Sequence, residues 1–277
     1  MGTAHFKFWP RHALHHLDAP ATNLFYNLEV SARRHPHKSA FIYYDNALTF
    51  VQLQEEAERL AGYLQHRCGI GAGDRVLLYM QNSLQFVIAY YAILRANAVV
   101  VPLNPMYLTQ EFLRCARDAG ATTAIVAQEL YPRVAALVGS ADLAHVILAT
   151  YADYLKAPTD LSVPDFVRAA RIEVAQPQVV GWEKALAAGL RPQPLTQGPD
   201  ALAVMPYTSG TTGVPKGCMH SHRTTMHTAV GSMHWFALQA EMTTLALAPF
   251  FHVTGMRSKS TRLNSSHGGI SRMPSSA

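Results

Sequence analysis

Cysteine is scarce and charge is sparse in this chain, and both shortages narrow what it can be. Only three cysteines occur in 277 residues, Cys68, Cys115 and Cys218. Widely spaced and odd in number, they give neither a disulfide framework nor paired zinc-ligand spacing, so reduced thiols in a cytosolic protein are expected. Charged residues make up 15% and hydrophobic residues 49%, a balance that excludes a solvated disordered chain and fits a globular one large enough for more than one lobe. Acid is missing altogether after residue 256, where Arg257, Lys259, Arg262 and Arg272 stand without a carboxylate. Those four account for most of the net charge of +5. With no basic patch interleaved with aromatics elsewhere, nucleic acid is excluded as a partner. A long apolar run is also lacking: the most apolar window, 84–103, is broken by Arg95 and Asn97 and holds Pro102. It reads as a helix followed by a strand, and no membrane span is expected. The N-terminus has Lys7 and Arg11 but no apolar segment of a secretory signal.

What the chain does have is one stretch of concentrated chemistry. Ala201-Leu202-Ala203-Val204-Met205 is short, apolar and closed by Pro206, the pattern of a buried strand. It delivers Tyr207-Thr208-Ser209-Gly210-Thr211-Thr212-Gly213-Val214-Pro215-Lys216-Gly217. Gly210, Gly213 and Gly217 permit backbone angles and close approach that let successive N–H groups converge on an anion. Thr208, Ser209, Thr211 and Thr212 add hydroxyl donors, and Lys216 adds a mobile positive charge. A plain hairpin turn is the bland alternative, since Gly and Thr are common where strands reverse. Such a turn needs neither clustered hydroxyls nor a lysine behind Pro215. The Walker spacing fails, because Lys216 is followed by Gly217 and no glycine directly precedes it. A phosphate loop of another kind is the expectation.

Around this stretch the chain alternates. A helix over 24–35, a strand over 40–44 and a turn at Asp45-Asn46 precede a capping-box signature, Thr49 with Gln52, that opens a helix stopped by Gly69. Strands are expected over 75–80, 98–101, 122–127 and 145–149. Helices are expected over 84–96, from a cap at Thr109 to Ala119, and over 128–138. Strands that are apolar throughout imply a parallel sheet covered on both faces, hence an α/β fold. The prolines between 150 and 200 mark a surface excursion with a short helix over 182–188. A helix over 219–238 carries His220, His222, His227 and His234, which share no face suited to zinc. A strand over 243–248 leads into Pro249-Phe250-Phe251-His252-Val253-Thr254-Gly255-Met256. His5, His12, His15 and His16 belong to a surface leader, 1–23.

Thr208 through Gly217 resembles, at every position, the signature of the adenylate-forming (AMP-binding) superfamily, and the likeness is strongest to the long-chain fatty acyl-CoA synthetases. Leu48-Thr49-Phe50, Gly73-Asp74-Arg75-Val76, Asn82 and Val101-Pro102-Leu103-Asn104-Pro105 fall where those enzymes carry similar blocks. The resemblance implies that 24–256 is the N-terminal part of the family's large domain, with mostly parallel sheets flanked by helices. It implies ATP-dependent activation of a carboxylic acid, a fatty acid by preference, through an acyl adenylate captured by coenzyme A, with Mg2+ as companion. An aryl-CoA ligase, another adenylation domain and a non-catalytic nucleotide-binding remnant are the alternatives. On this basis Thr208, Ser209, Gly210, Thr211, Thr212, Gly213 and Lys216 would hold the ATP phosphates, and His252 would line the acyl and thiol channel. No catalytic residue is assigned, because the family's adenine-binding strand, magnesium-holding glutamate, ribose-binding aspartate and C-terminal lysine have no counterpart here. His222 matches a family histidine and is expected to pack or hydrogen-bond. A cytoplasmic location, compatible with peripheral membrane association, is expected; the oligomeric state is not legible. Residues 257–277 resemble translated adapter sequence or a disordered basic tail, and an inactive fragment is expected.

Overall fold

The computed structural model describes residues 4–208, 215–239, 242–252, 255 and 271–273. Helix α1 (Phe25–Arg34) leads to β1 (Ser39–Tyr43), β2 (Asn46–Thr49) and α2 (Phe50–Arg67). Then follow β3 (Arg75–Tyr79), α3 (Leu84–Arg95), β4 (Val99–Pro102), α4 (Thr109–Ala119), β5 (Thr123–Ala127) and β6 (His145–Ala149). After α5 (Asp165–Arg168), β7 (Val179–Gly181) and α6 (Trp182–Ala187) come β8 (Leu202–Val204), β9 (Tyr207–Thr208), β10 (Lys216–Gly217) and β11 (His220–Ser221). Helix α7 (His222–Trp235), β12 (Thr244–Leu245) and β13 (Ser271–Met273) complete the described elements.

Seven strands form the central sheet in the order β11-β8-β4-β3-β5-β6-β7. From β8 to β7 every pairing is parallel, and β11 closes one edge antiparallel to β8. Side chains alternate along these strands, so each strand feeds two cores. Val76, Leu78, Val100, Ile125 and Ile147 join α1, α2 and α3 on one face. Leu77, Tyr79, Val99, Val101, Ala124, Val126 and Val146 join α4 on the other. The expected α/β fold, with a mostly parallel sheet flanked by helices, is what the chain forms. A second sheet has the order β12-β13-β1-β2.

Local signals hold where the chain decides by itself. Gln52 N–H donates to Thr49 Oγ1 at 3.3 Å and Thr49 N–H to Gln52 Oε1 at 2.9 Å, which completes the capping box of α2. Four expectations need correction. The turn between β1 and β2 is Tyr44-Asp45, both with positive φ, and Asn46 already lies in β2. Asn46 is recruited there because its Oδ1 accepts from Lys156 N–H and Ala157 N–H at 2.7 and 2.6 Å. Thr109 is the first residue of α4, not its cap; its hydroxyl donates to Arg133 O at 2.6 Å, while Leu108 N–H is taken by Glu111. The helix expected over 128–138 is two short 3-10 turns, Tyr131–Arg133 and Ala135–Leu137. Pro132 has no N–H to give Gln128 O and disfavours a helical Tyr131. The helix expected from 219 begins at His222, because His220–Ser221 pairs with β8 instead.

The excursion between β6 and β8 is pinned more firmly than its prolines suggest. Asn97, in the left-handed region at φ 64°, accepts from Thr196 N–H and donates to Pro194 O. A Cβ on Gly62 would stand 2.2 Å from Leu190 O, so only glycine lets α2 pass beneath this stretch.

Candidate functional site

The carboxyl ends of the parallel strands carry the residues with chemistry. Strand β8 ends at Val204, and the next residue stays in the sheet through Met205 N–H to Val100 O at 2.8 Å. The chain then rises into the β9–β10 hairpin, in which Thr208 pairs with Lys216 and Tyr207 with Gly217. Directly opposed residues of an antiparallel pair share a face, so Thr208 and Lys216 stand side by side, both exposed. The other face is anchored. Tyr207 Oη donates to Asp118 Oδ2 at 2.6 Å on α4, and burial, together with that acid, holds the phenol above its usual range. A Cβ on Gly217 would lie 3.1 Å from Met205 Cγ and Sδ, so the Met205 side chain would have to shift to admit it. The stretch is thus a hairpin after all, with a seven-residue connection, 209–215, in place of a tight turn. Ser209, Gly210, Thr211, Thr212 and Gly213 lie outside the described residues. Of the seven expected phosphate-binding residues, Thr208 and Lys216 are therefore the two the structure brings together.

Behind the hairpin, His222 opens α7. It is 1% exposed, and its Nδ1 accepts Leu24 N–H at 3.1 Å. Burial pushes its imidazole down to about 4, so it is neutral near pH 7. Its place is the packing role expected from sequence, joining α7 to the start of α1. His220 lies in β11. His227 and His234 border a cavity of about 370 Å³ with Trp9, His15, His16 and Trp235. Among the described residues, no three His, Cys, Asp or Glu side chains are grouped to hold a metal.

A second cluster lies between β3 and β5. The chain leaves β3 for β4 on one side and returns to β5 on the other, which makes a topological switch point, the place where doubly wound sheets open a crevice at their carboxyl ends. At this point Gln81-Asn82-Ser83 follows β3 and Gln128-Glu129 follows β5. Gln81 N–H donates to Tyr151 Oη at 2.8 Å, and that hydroxyl donates to Glu129 Oε1 at 2.9 Å. Glu129 Oε2 is buried with no hydrogen-bond partner among the described residues, and burial pushes this carboxyl up to about 7. Asn82 Nδ2 donates to Ala248 O at 3.1 Å, and its Oδ1 accepts Phe250 N–H at 2.6 Å. Phe250 is fully buried and meets Phe86 of α3 edge-on with ring centroids 5.7 Å apart. His252, exposed, donates its N–H to Pro249 O at 3.1 Å. Strand β4 separates β8 from β3, so the hairpin and this crevice lie two strand spacings apart, roughly 10 Å, on the same edge of the sheet. Glu129 and Tyr151 were not legible as site residues. Their only signal was position: each follows a strand at its carboxyl end.

Comparison with known proteins adds the family. A sequence model described as AMP-binding enzyme matches residues 28–261. A long-chain-fatty-acid–CoA ligase of Bacillus subtilis is 30% identical over 259 residues, which cover 90% of this chain and 45% of that protein. Among solved structures, a long-chain-fatty-acid-CoA ligase from Archaeoglobus fulgidus superposes with a TM-score of 0.76 at 22% identity, covering 95% of this chain and 49% of its own. An anthranilate CoA ligase in complex with anthranoyl-AMP gives a TM-score of 0.72 at 22% identity over 92% of this chain and 45% of its own. The chain spans about half the length of these relatives.

Proposed function

The chain belongs to the AMP-binding enzyme family, and we propose that the protein of which it is a part is an ATP-dependent fatty acyl-CoA ligase. The observation that carries this reading is the hairpin that presents Thr208 and Lys216 on one face beside the loop sequence Ser209-Gly210-Thr211-Thr212-Gly213. In the reaction, a carboxylate oxygen attacks the α-phosphorus of ATP and pyrophosphate departs with the bonding electrons. The thiolate of coenzyme A then attacks the acyl carbon and AMP leaves. Two anions must meet in the first step, so charge and oriented donors on the phosphates must offset their repulsion and stabilise the leaving group. Lys216, Thr208 and the glycine-rich connection would supply both. Magnesium would accompany the ATP phosphates as their counter-ion. His252, projecting from the segment over the switch-point crevice, would line the acyl channel. A fatty acid is the favoured substrate because the Bacillus relative matched over most of the chain is a ligase of that class. Among the described residues, no helix is long and apolar enough to cross a membrane.

Half of such a ligase lies outside these residues, and the 277-residue chain by itself would bind ATP without completing thioester formation. Two measurements test the reading. A full-length protein assayed against fatty, aromatic and amino acids should release AMP fastest with fatty acids; release with aromatic or amino acids alone would overturn the substrate class. On the 277-residue chain, Lys216→Ala should weaken ATP binding about tenfold or more, the scale of a lost charge-assisted contact to phosphate. Equal affinities would take the hairpin out of the nucleotide site.

A further inference from the structure

We propose that Asn82 is a positioning residue for the acyl site, because its side chain fastens the backbone of Ala248 and Phe250 into the switch-point crevice and so sets where His252 stands. The inference rests on the acyl-channel reading of His252 given above, and it adds the residue that fixes that histidine in place. Both ends of the Asn82 carboxamide are spent on main chain two residues apart, the donor on Ala248 O and the acceptor on Phe250 N–H. No other side chain of similar size offers a donor and an acceptor in that arrangement. Pro249 is held between these two bonds, and Pro249 O accepts the N–H of His252. Three hydrogen bonds thus lead from the end of β3 to the histidine.

The anchor itself is fixed on both sides. Gln81 N–H is held by Tyr151, which Glu129 holds in turn. Ser83 caps α3 by accepting Phe86 N–H at 3.1 Å, and the ring of Phe86 meets Phe250. From the other side, Gly255 backs on the same turn so closely that a Cβ would stand 1.9 Å from Pro249 O. A crevice that a doubly wound sheet commonly gives to a ligand is here fitted with the chain's own segment. The backbone at His252 is thereby tied to Asn82, 170 positions earlier in the chain.

Hydrogen–deuterium exchange on the 277-residue chain reads the tether directly. Asn82→Leu should speed exchange of the Phe250 and His252 amides about tenfold or more, while β3 and α3 keep their protection. Asn82→Asp retains the acceptor for Phe250 N–H and loses the donor to Ala248 O, so Phe250 should stay protected in it; this variant also serves should Asn82→Leu fail to fold. Unchanged exchange of the Phe250 and His252 amides in Asn82→Leu, or a Phe250 amide equally exposed in both variants, overturns the tether. In a full-length ligase, Asn82→Leu and His252→Ala should each raise the KM for palmitate about tenfold and leave the KM for ATP within about twofold, a split that general destabilisation would not give. Faster exchange with neither variant moving the palmitate KM would leave the tether standing and overturn the acyl-channel reading of His252.

Discussion

Thr208 and Lys216 reach solvent from a hairpin closed by backbone pairing, whereas at the carboxyl ends of β3 and β5 side chains do the gripping, Asn82 on the main chain of Ala248 and Phe250 and Glu129 on Tyr151. The contrast follows from what each region would do. Groups that meet a phosphate must stay accessible, so their own side chains carry little of the folding energy and their neighbours Tyr207 and Gly217 do the holding. A channel for an acyl chain would need shape, and the residues at the crevice are packed, so altering them should disturb the fold. Substitution should therefore separate the two: loss of ligand binding without loss of stability at the hairpin, and loss of both at the crevice.

Acid and alkali should separate them most strongly, because each region has a buried group displaced in the opposite sense. Burial raises the Glu129 carboxyl from the usual 4.5 to about 7. Its contribution to stability is complete below about pH 4.5 and is lost as pH rises through 7, since the unfolded chain releases that proton first. Burial lowers the His222 imidazole from 6.5 to about 4. Its contribution is complete above about pH 6.5 and is lost as pH falls through 4. Each gap, near 2.5 pKa steps, corresponds to roughly 3 kcal/mol. Glu129→Gln keeps an acceptor for Tyr151 and should flatten the alkaline limb of a urea-stability profile between pH 4.5 and 8. His222→Asn keeps an acceptor for Leu24 N–H and should flatten the acid limb. Profiles that run parallel to the unaltered chain in both variants would show that neither group is buried as described.

Gly255→Ala tests the crevice by shape. The atom its methyl would meet is the backbone oxygen of Pro249, which cannot swing aside as a side chain can. A cost of about 3 kcal/mol is expected in urea unfolding, the upper end for overpacking. Lys216→Ala, by contrast, should leave the midpoint within about 0.5 kcal/mol, as for an exposed site. Equal costs at the two positions would erase the distinction between a packed wall and an exposed clasp.

Residues whose partners are near in sequence were the legible ones. Thr49 and Gln52 announce α2 because both halves of the capping box lie within one turn. The apolar strands announce the sheet because both of their faces are buried, and Thr208–Gly217 announces itself because its chemistry is contiguous. What stayed hidden depends on distant partners. Asn46 belongs to a strand and not a turn because Lys156 and Ala157 claim its side chain from 110 and 111 residues away. Asn82 could be noted as a position but not given a role, since its partners lie 166 and 168 residues downstream. Glu129 looks like an ordinary surface acid until Tyr151 and the walls of the crevice close over it. Pro132 was the exception, a local signal against the helix expected over 128–138.

The smallest effect on ATP affinity is expected at Ser221, the residue that caps α7. Ser221 Oγ accepts Thr224 N–H at 3.2 Å, satisfying one of the first-turn donors. Ser221→Ala should cost about 1 kcal/mol, the usual value of such a cap. Its use lies in what it leaves alone. The support of the β9–β10 pair comes from Asp118 on α4 and from Met205 after β8, so fraying the first turn of α7 should not move Thr208 or Lys216. ATP affinity within about twofold of the unaltered chain, alongside the loss in stability, would show that the clasp stands without α7. A fall in affinity as large as that of Lys216→Ala would mean that α7, fastened by His222 to Leu24, is part of what holds the phosphates.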